Sequence, residues 1–482
     1  MNKRMLGYLI GIILAVEASL LSVPLITALI YRESALPFII TMGILIFVSL
    51  PMIALKPKNP SERRIFAKEG FVCVAAAWIF LSVFGALPFV ISGSIPNYVD
   101  ALFETVSGFT TTGATILTEI ESLPKGILLW RSFTHWIGGM GVLVFVLALL
   151  PQKDGRSIHL LRAEVPGPTK GKLVPKLRKT ALILYGIYIA LTVIMVICLL
   201  FTKMSLYDSL VNSFATAGTG GFSVKNASIG SYANPAAEWV IGIFMLVFGI
   251  NFNLLFFLIV GQFASILKNE ELRVYVATVL ISTALISVNI FKTVSSASDC
   301  IRSAFFQVTS IISTTGFSSI DYSIWPSFST SILILLTVIG ACAGSTAGGL
   351  KISRVILVIK NFARELRHKI NPKSVNVVKM DGEPMPEETI RSAANYITAY
   401  ITIIFVCFLT ISLDGFDFET NFTAALTCMN NVGPGLGAVG PAGNFSAYSY
   451  LSKIVLSLTM LIGRLEIVPL MILFAPSTYR KK

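Results

Sequence analysis

DALFETVSGFTTTG (Asp100–Gly113), DSLVNSFATAGTGG (Asp208–Gly221), SAFFQVTSIISTTG (Ser303–Gly316) and TNFTAALTCMNNVG (Thr420–Gly433) align without a gap. Each opens on Asp, Ser or Thr, whose side-chain oxygen can accept the free N–H groups of a helix start. Each then runs through a short half-apolar stretch to a small residue and Gly. About ten residues of helix rise only ~15 Å, half of a ~30 Å hydrocarbon core, so the phrase predicts a half-helix that enters and returns on one side. Irregular backbone at that depth persists only where protein or a water-filled path surrounds it. Four aligned copies therefore predict four pseudo-repeats of helix, re-entrant pore loop and helix around one pore. The plainer alternative, a tight Thr-Gly turn between two spans, fits one copy well and four registered copies poorly.

Composition sets the environment for these phrases. The 482 residues are 54% hydrophobic and 13% charged, and the mean hydropathy is +0.78, which predicts an all-α polytopic membrane protein. Ten apolar stretches reach spanning length: Leu6–Tyr31, Leu36–Leu55, Gly70–Ile91, Leu128–Leu150, Ala181–Phe201, Trp239–Leu267, Val274–Val294, Ser329–Gly349, Ala393–Leu413 and Tyr450–Phe474. The first two lack the phrase and form an appended hairpin. The chain then divides into an N-terminal transmembrane hairpin (1–65), a first pore repeat with a cytoplasmic loop (66–179), a second (180–273), a third with a gating segment and cytoplasmic loop (274–391) and a fourth (392–482).

The net charge of +13 does not mark a nucleic-acid binder, because of where the basic residues sit. Met1–Arg4, Lys56–Arg64, Pro151–Lys179, Lys268–Arg273, Lys351–Arg391 and Arg480–Lys482 all fall on one side of an even-numbered topology. That is the positive-inside pattern, with lipid as the surrounding partner and both termini cytoplasmic. Met1–Ser19 has the basic start and apolar centre of a signal peptide, but the apolar run continues to Tyr31, too far for one.

The residue types at the end of each phrase suggest ion chemistry. Gly113, Gly221, Gly316 and Gly433 can take positive φ and allow close backbone approach. Thr111 and Thr112, Thr219 and Gly220, Thr314 and Thr315, and Asn431 and Val432 would supply the preceding carbonyls. A ring of such carbonyls, at the negative ends of four half-helices, replaces the hydration shell of a weakly hydrated monovalent cation. The filter has no carboxylates, which argues against a divalent site.

Other features are open to two readings each. GACAGSTAGGLKISR (Gly340–Arg354) makes a poor helix. Its residues Gly340, Gly344, Ser345, Thr346, Gly348 and Gly349 form either a flexible gating segment across the ion path or a close-packed small-residue seam. Arg464, placed mid-span, is either a fixed positive barrier at a pore constriction or half of a structural pair. Glu17, in the first span, is read as a carboxyl hydrogen-bonded between helices, with proton coupling as the alternative. The six cysteines lie in or beside apolar segments and read as packing residues. His135, His159 and His368 lack metal-site spacing, and no phosphate loop appears in its strand–loop–helix context, so an ATP-hydrolysing enzyme is not expected.

Taken together, FTTTGAT, LWRSFTHWIGGMG (Leu129–Gly141), EVPGPTKGKLVPKLRKTA, STTGFSSID, GACAGSTAGGLKISR and NNVGPGLGAVGP followed by GRLEI resemble the TrkH/TrkG/KtrB family of potassium transporters. The extra N-terminal hairpin makes the chain more similar to TrkH or TrkG than to KtrB. The resemblance implies potassium as the transported ion, a bacterial inner-membrane location and a homodimer with one pore per subunit. It also implies a cytoplasmic TrkA-type regulatory subunit through which NAD(H) and ATP act. Carried over, it makes Gly113, Gly221, Gly316 and Gly433 filter glycines, Gly340–Gly349 the gating loop and Arg464 the pore arginine. Each phrase keeps one clearly shared Gly rather than a full potassium-channel signature. A sodium- or proton-coupled symporter of the same fold, and a scaffold whose repeats merely pack, are the competing functions.

Overall fold

The computed structural model describes residues 2–57, 66–141, 177–291 and 296–479. The expectations for residues 142–150 of the fourth apolar stretch, and for most of the basic segments Lys56–Arg64 and Pro151–Lys179, lie outside them. So does the C-terminal segment Arg480–Lys482. The described chain is helical apart from one two-stranded hairpin, Lys379–Met380 with Glu383–Pro384. Among the described residues, six helices are long and apolar enough to cross a membrane: Lys3–Ile30, Leu36–Ala54, Lys68–Ile91, Lys179–Phe201, Glu270–Ile290 and Glu387–Asp414. They match six of the ten predicted stretches closely. Their outer faces remain apolar where they are exposed, as at Phe47, Val288 and Leu409. This is how a helix facing lipid rather than water is composed.

The other four stretches, each following one of the quoted phrases, depart from a continuous span. Lys125–Gly139 ends on Met140 and the positive-φ Gly141. Pro235–Phe248 bends by 99° into Phe252–Ile259. Ser327–Ile339 stops at Gly340, whose φ of 70° no continuing helix can hold, and residues 340–351 are irregular. Tyr450–Arg464 is broken by Glu466 and Ile467, with φ of 57° and 66°, before Val468–Phe474 resumes. Dense glycine is read as a break only at the third of these, although Gly138, Gly139 and Gly141 mark the first in the same way.

The N-terminal hairpin packs on the helix Lys68–Ile91 and on the start of Lys125–Gly139, where the Glu33 carboxylate accepts the Lys125 and Gly126 N–H groups at 2.7 and 2.9 Å. Those are free donors of a helix N-terminus, so the carboxylate satisfies them and complements the helix dipole. Glu17 is buried against this seam, beside Gly85 and Thr105. Neither of its carboxyl oxygens has a hydrogen-bond partner among the described residues, which corrects the expectation of an interhelical hydrogen bond.

Candidate ion pathway

The four phrases fold as short helices: Tyr98–Phe109, Leu206–Gly218, Ala297–Ile312 and Phe418–Asn430. At 12 to 16 residues they rise ~18–24 Å, still short of a membrane core. Each begins before the residue expected to cap it. Asn97, Ser205 and Asp417 are the caps, accepting N–H groups from Val99 and Asp100, from Asp208 and from Thr420. Ser296 precedes the third helix without a side-chain bond. Asp100, Asp208 and Thr420 are instead the third residues of their helices, and Ser303 lies deeper still. An acidic residue in the first turn favours the positive helix end, and for that reason resembles a cap in the sequence.

Each short helix ends in the same way. The residue after its C-terminal turn is left-handed: Thr111 (φ 56°), Thr219 (56°), Thr314 (57°) and Asn431 (55°). The next N–H reaches back five residues, from Thr112 to Ser107 O (2.9 Å), Gly220 to Ala215 O (2.9 Å), Thr315 to Ser310 O (2.8 Å) and Val432 to Thr427 O (3.0 Å). This is the Schellman closure, which ordinarily places Gly at the left-handed position. Three β-branched threonines there each cost about 1–2 kcal/mol of backbone strain, a cost concentrated at functional sites. Positive φ follows at Gly113, Gly221, Gly316 and Gly433, as predicted.

The four ends meet in a ring. A methyl group on Gly113 would collide with the Gly220 carbonyl oxygen, on Gly221 with that of Thr315, on Gly316 with that of Val432, and on Gly433 with that of Thr112. The contacts pass from first strand to second, third, fourth and back to first, so one carbonyl from each strand is set against the glycine of its neighbour. The glycines face a cavity of about 120 Å³, which Arg131 and Lys225 also border. Lys225 pairs with Glu121 at 2.8 Å across this outer rim. The hydrogen bond from Lys225 holds the exposed Glu121 carboxyl below the usual carboxylate range.

A second cavity of about 230 Å³ is bordered by Trp78, Gly139, residues 344–345 and 347–349, and Arg464. The irregular loop beside it is pinned at both ends. Glu271 Oε1 accepts Ala343 N–H at 2.7 Å and Ser353 N–H at 3.1 Å, and the Gly344 carbonyl accepts Phe252 N–H at 3.0 Å. The Arg464 guanidinium donates to the Thr346 carbonyl at 2.7 Å and to the Gly138 and Gly139 carbonyls at 2.6 and 2.7 Å. A cation thus sits at the negative end of the helix Lys125–Gly139 and joins it to the loop. Glu466 pairs with Arg354 instead, at 2.6 Å.

All twelve predicted filter residues lie at the ring, and Gly344, Ser345, Gly348 and Gly349 line the same cavity as Arg464. Thr346 reaches that arginine through its carbonyl, and Gly340 begins the irregular loop. Sequence reasoning missed Glu271, which anchors the loop, and the pair of Arg131 with Glu104 behind the ring, 2.6 Å apart and almost fully buried. Glu104 also accepts from the Thr115 hydroxyl and Ile116 N–H, just beyond Gly113. The clue was available: two opposite charges in apolar surroundings require each other. Among the described residues, no cluster of His, Cys, Asp or Glu could hold a metal ion.

Residues 38–481 match the family described as TrkH, cation transport protein. The chain is 36% identical over 487 residues to the Trk system potassium uptake protein TrkH of Escherichia coli K12, covering 100% of both. It is 31% identical to TrkG of the same organism, over 99% of each. It superposes on the crystal structure of the potassium transporter TrkH from Vibrio parahaemolyticus with a TM-score of 0.88, at 32% identity and over 100% of both chains.

Proposed function

The chain belongs to the TrkH family of cation transport proteins, and on that premise we propose that it carries potassium into the cell through a channel-like pore. The observation that carries this reading is the closed ring of Gly113, Gly221, Gly316 and Gly433, each set against a carbonyl of the next strand. Dehydrating a potassium ion requires several oxygens held at fixed spacing, and the strained threonine turns supply a rigid frame for them.

The four helix–loop–helix units surround this single pore, and the chain crosses the membrane ten times if each broken helix completes its passage. The loop 340–351 closes the path below the filter, with Arg464 as the fixed charge. The protein sits in the bacterial inner membrane with both termini cytoplasmic, works as a homodimer, and is opened by a TrkA-type nucleotide-binding subunit that carries the response to NAD(H) and ATP. Sodium or proton coupling is the second reading, favoured by the unpartnered Glu17 carboxyl inside the membrane.

Reconstitution in liposomes tests both. Rubidium uptake driven by a potassium gradient is expected, and its absence with and without the regulatory subunit would refute transport. A reversal potential that follows potassium alone, while sodium and proton gradients are varied independently, excludes coupling.

A further inference from the structure

The ring is four-fold only in outline, and its largest departure lies at the second strand. The residue between the left-handed position and the glycine shared by the four repeats is Thr112, Thr315 and Val432 in the other strands, but Gly220 in this one. A methyl group at Gly220 would run into the imidazole of His135. The ring of His135 therefore occupies the volume that a side chain of the strand itself fills elsewhere.

His135 is fully buried and makes two bonds with fixed polarity. Phe222 N–H can only donate, and it reaches Nε2 at 3.3 Å. The Gly108 carbonyl can only accept, and it meets Nδ1 at 2.6 Å. The two together assign the neutral tautomer with its proton on Nδ1. One turn earlier on the same helix, Arg131 donates to the Ser223 carbonyl at 2.9 Å and to Glu104 at 2.6 Å. Glu104 and Gly108 are likewise one turn apart on the first short helix. Two parallel rungs thus run from that helix through His135 and Arg131 to residues 222 and 223, immediately after Gly221. One rung holds the N–H of the peptide that joins Gly221 to Phe222 and the other the carbonyl of the peptide that joins Ser223 to Val224, so the strand is held on both sides of the Phe222–Ser223 link.

We infer that His135 is a specificity-determining positioning residue, which replaces the missing side chain of Gly220 and fixes the second strand in the geometry that distinguishes potassium from sodium. This rests on the filter reading above, because only a strand that touches the ion can pass a displacement on to ion preference. Carbonyl spacing discriminates between two ions that differ only in radius, so a strand freed at Phe222 loses discrimination before it loses conduction.

The test uses the full chain in liposomes, reading rubidium flux and potassium-over-sodium preference from reversal potentials. Thermal midpoints in potassium and in sodium give a readout independent of flux, since an ion bound to the folded state raises the midpoint. His135→Ala is expected to lower the preference about tenfold, the equivalent of one lost hydrogen bond, while flux persists. His135→Asn, whose Nδ2 can still donate to Gly108 while its Oδ1 stops short of the Nε2 position that meets Phe222, is expected to do the same. It carries the test if the alanine variant does not fold. Gly220→Thr alone is expected to abolish transport, and Gly220→Thr combined with His135→Ala to regain flux by exchanging the two volumes, with the preference still lowered because Phe222 N–H lacks its acceptor. Gly316→Ser is the control on another strand. A shift with Gly316→Ser and none with either His135 variant overturns the inference and leaves the filter reading standing. No shift with any of them overturns the filter reading itself. A double variant no better folded and no more conductive than Gly220→Thr overturns the exchange of volumes.

Discussion

The Gly348 N–H donates to the Thr314 hydroxyl at 2.7 Å, joining the irregular loop to the left-handed residue at the base of the third strand. The strained turn and the loop thus share one side chain. Thr314→Val keeps the shape and removes the acceptor, leaving Gly348 N–H unsatisfied at a cost of about 1–3 kcal/mol. Loop opening is expected to become easier, so rubidium flux without the regulatory subunit should rise several-fold. Thr314→Ser retains the hydroxyl and should leave the flux near the parent value. Equal flux in the two variants would show that the bond does not restrain the loop.

Arg464 makes its bonds to carbonyls of two separate elements, Thr346 of the loop and Gly138 and Gly139 of the helix Lys125–Gly139. Both a fixed charge and a clamp therefore disappear in Arg464→Ala, and conductance should rise. Arg464→Lys keeps the charge but lacks the planar fork that spans both elements. A conductance in the lysine variant close to that of the alanine variant assigns the effect to the clamp, and one close to the parent assigns it to the charge. Single-channel recording separates the two, and an alanine variant with unaltered conductance would mean that Arg464 controls neither.

How far the sequence revealed this site depended on whether a local rule or a tertiary contact decided each residue. Gly113, Gly221, Gly316 and Gly433 were legible because positive φ ordinarily requires glycine. Thr111, Thr219 and Thr314 were not, because β-branched residues resist the left-handed region and only the surrounding ring holds them there. The run from Gly340 to Gly349 revealed a broken helix through composition, whereas the breaks at Gly249–Asn251 and Glu466–Ile467 depend on neighbouring helices. Gly220 carried a readable signal, since it is the one copy with glycine where the others have a side chain, but its cause was a histidine distant in sequence.

Glu271 holds the loop from the opposite side, with one carboxylate oxygen accepting from Ala343 and Ser353. Cys342, next to the first of these, is buried. Glu271→Ala leaves both N–H groups without their acceptor, at about 1–3 kcal/mol each. The loop should then open more often, and Cys342 should react with a small membrane-permeant maleimide at least several-fold faster than in the parent. The other five cysteines are replaced by serine or alanine so that the rate reports this thiol alone. Unchanged labelling would place the anchoring of the loop elsewhere.

The outer rim makes a prediction about pH and salt. Lys225 borders the cavity above the glycine ring, and its charge is balanced by Glu121 at 2.8 Å. Because Lys225 holds the Glu121 carboxyl low, the pair is intact above the ordinary carboxylate pKa of about 4.3 and is lost only as pH falls through the lower folded value. Between neutral pH and about pH 5, potassium flux should therefore be indifferent to this pair. Below the folded pKa, Lys225 stands unbalanced at the entrance and repels cations, so flux should fall. Glu121→Gln should reproduce that fall at neutral pH, and added salt should relieve it as the Debye length shrinks from ~30 Å at 0.01 M to ~8 Å at 0.15 M. Removing the charge with Lys225→Gln in the same chain should restore flux at low salt. If Glu121→Gln conducts like the parent at low salt, the Lys225 charge does not reach the ion entering the ring.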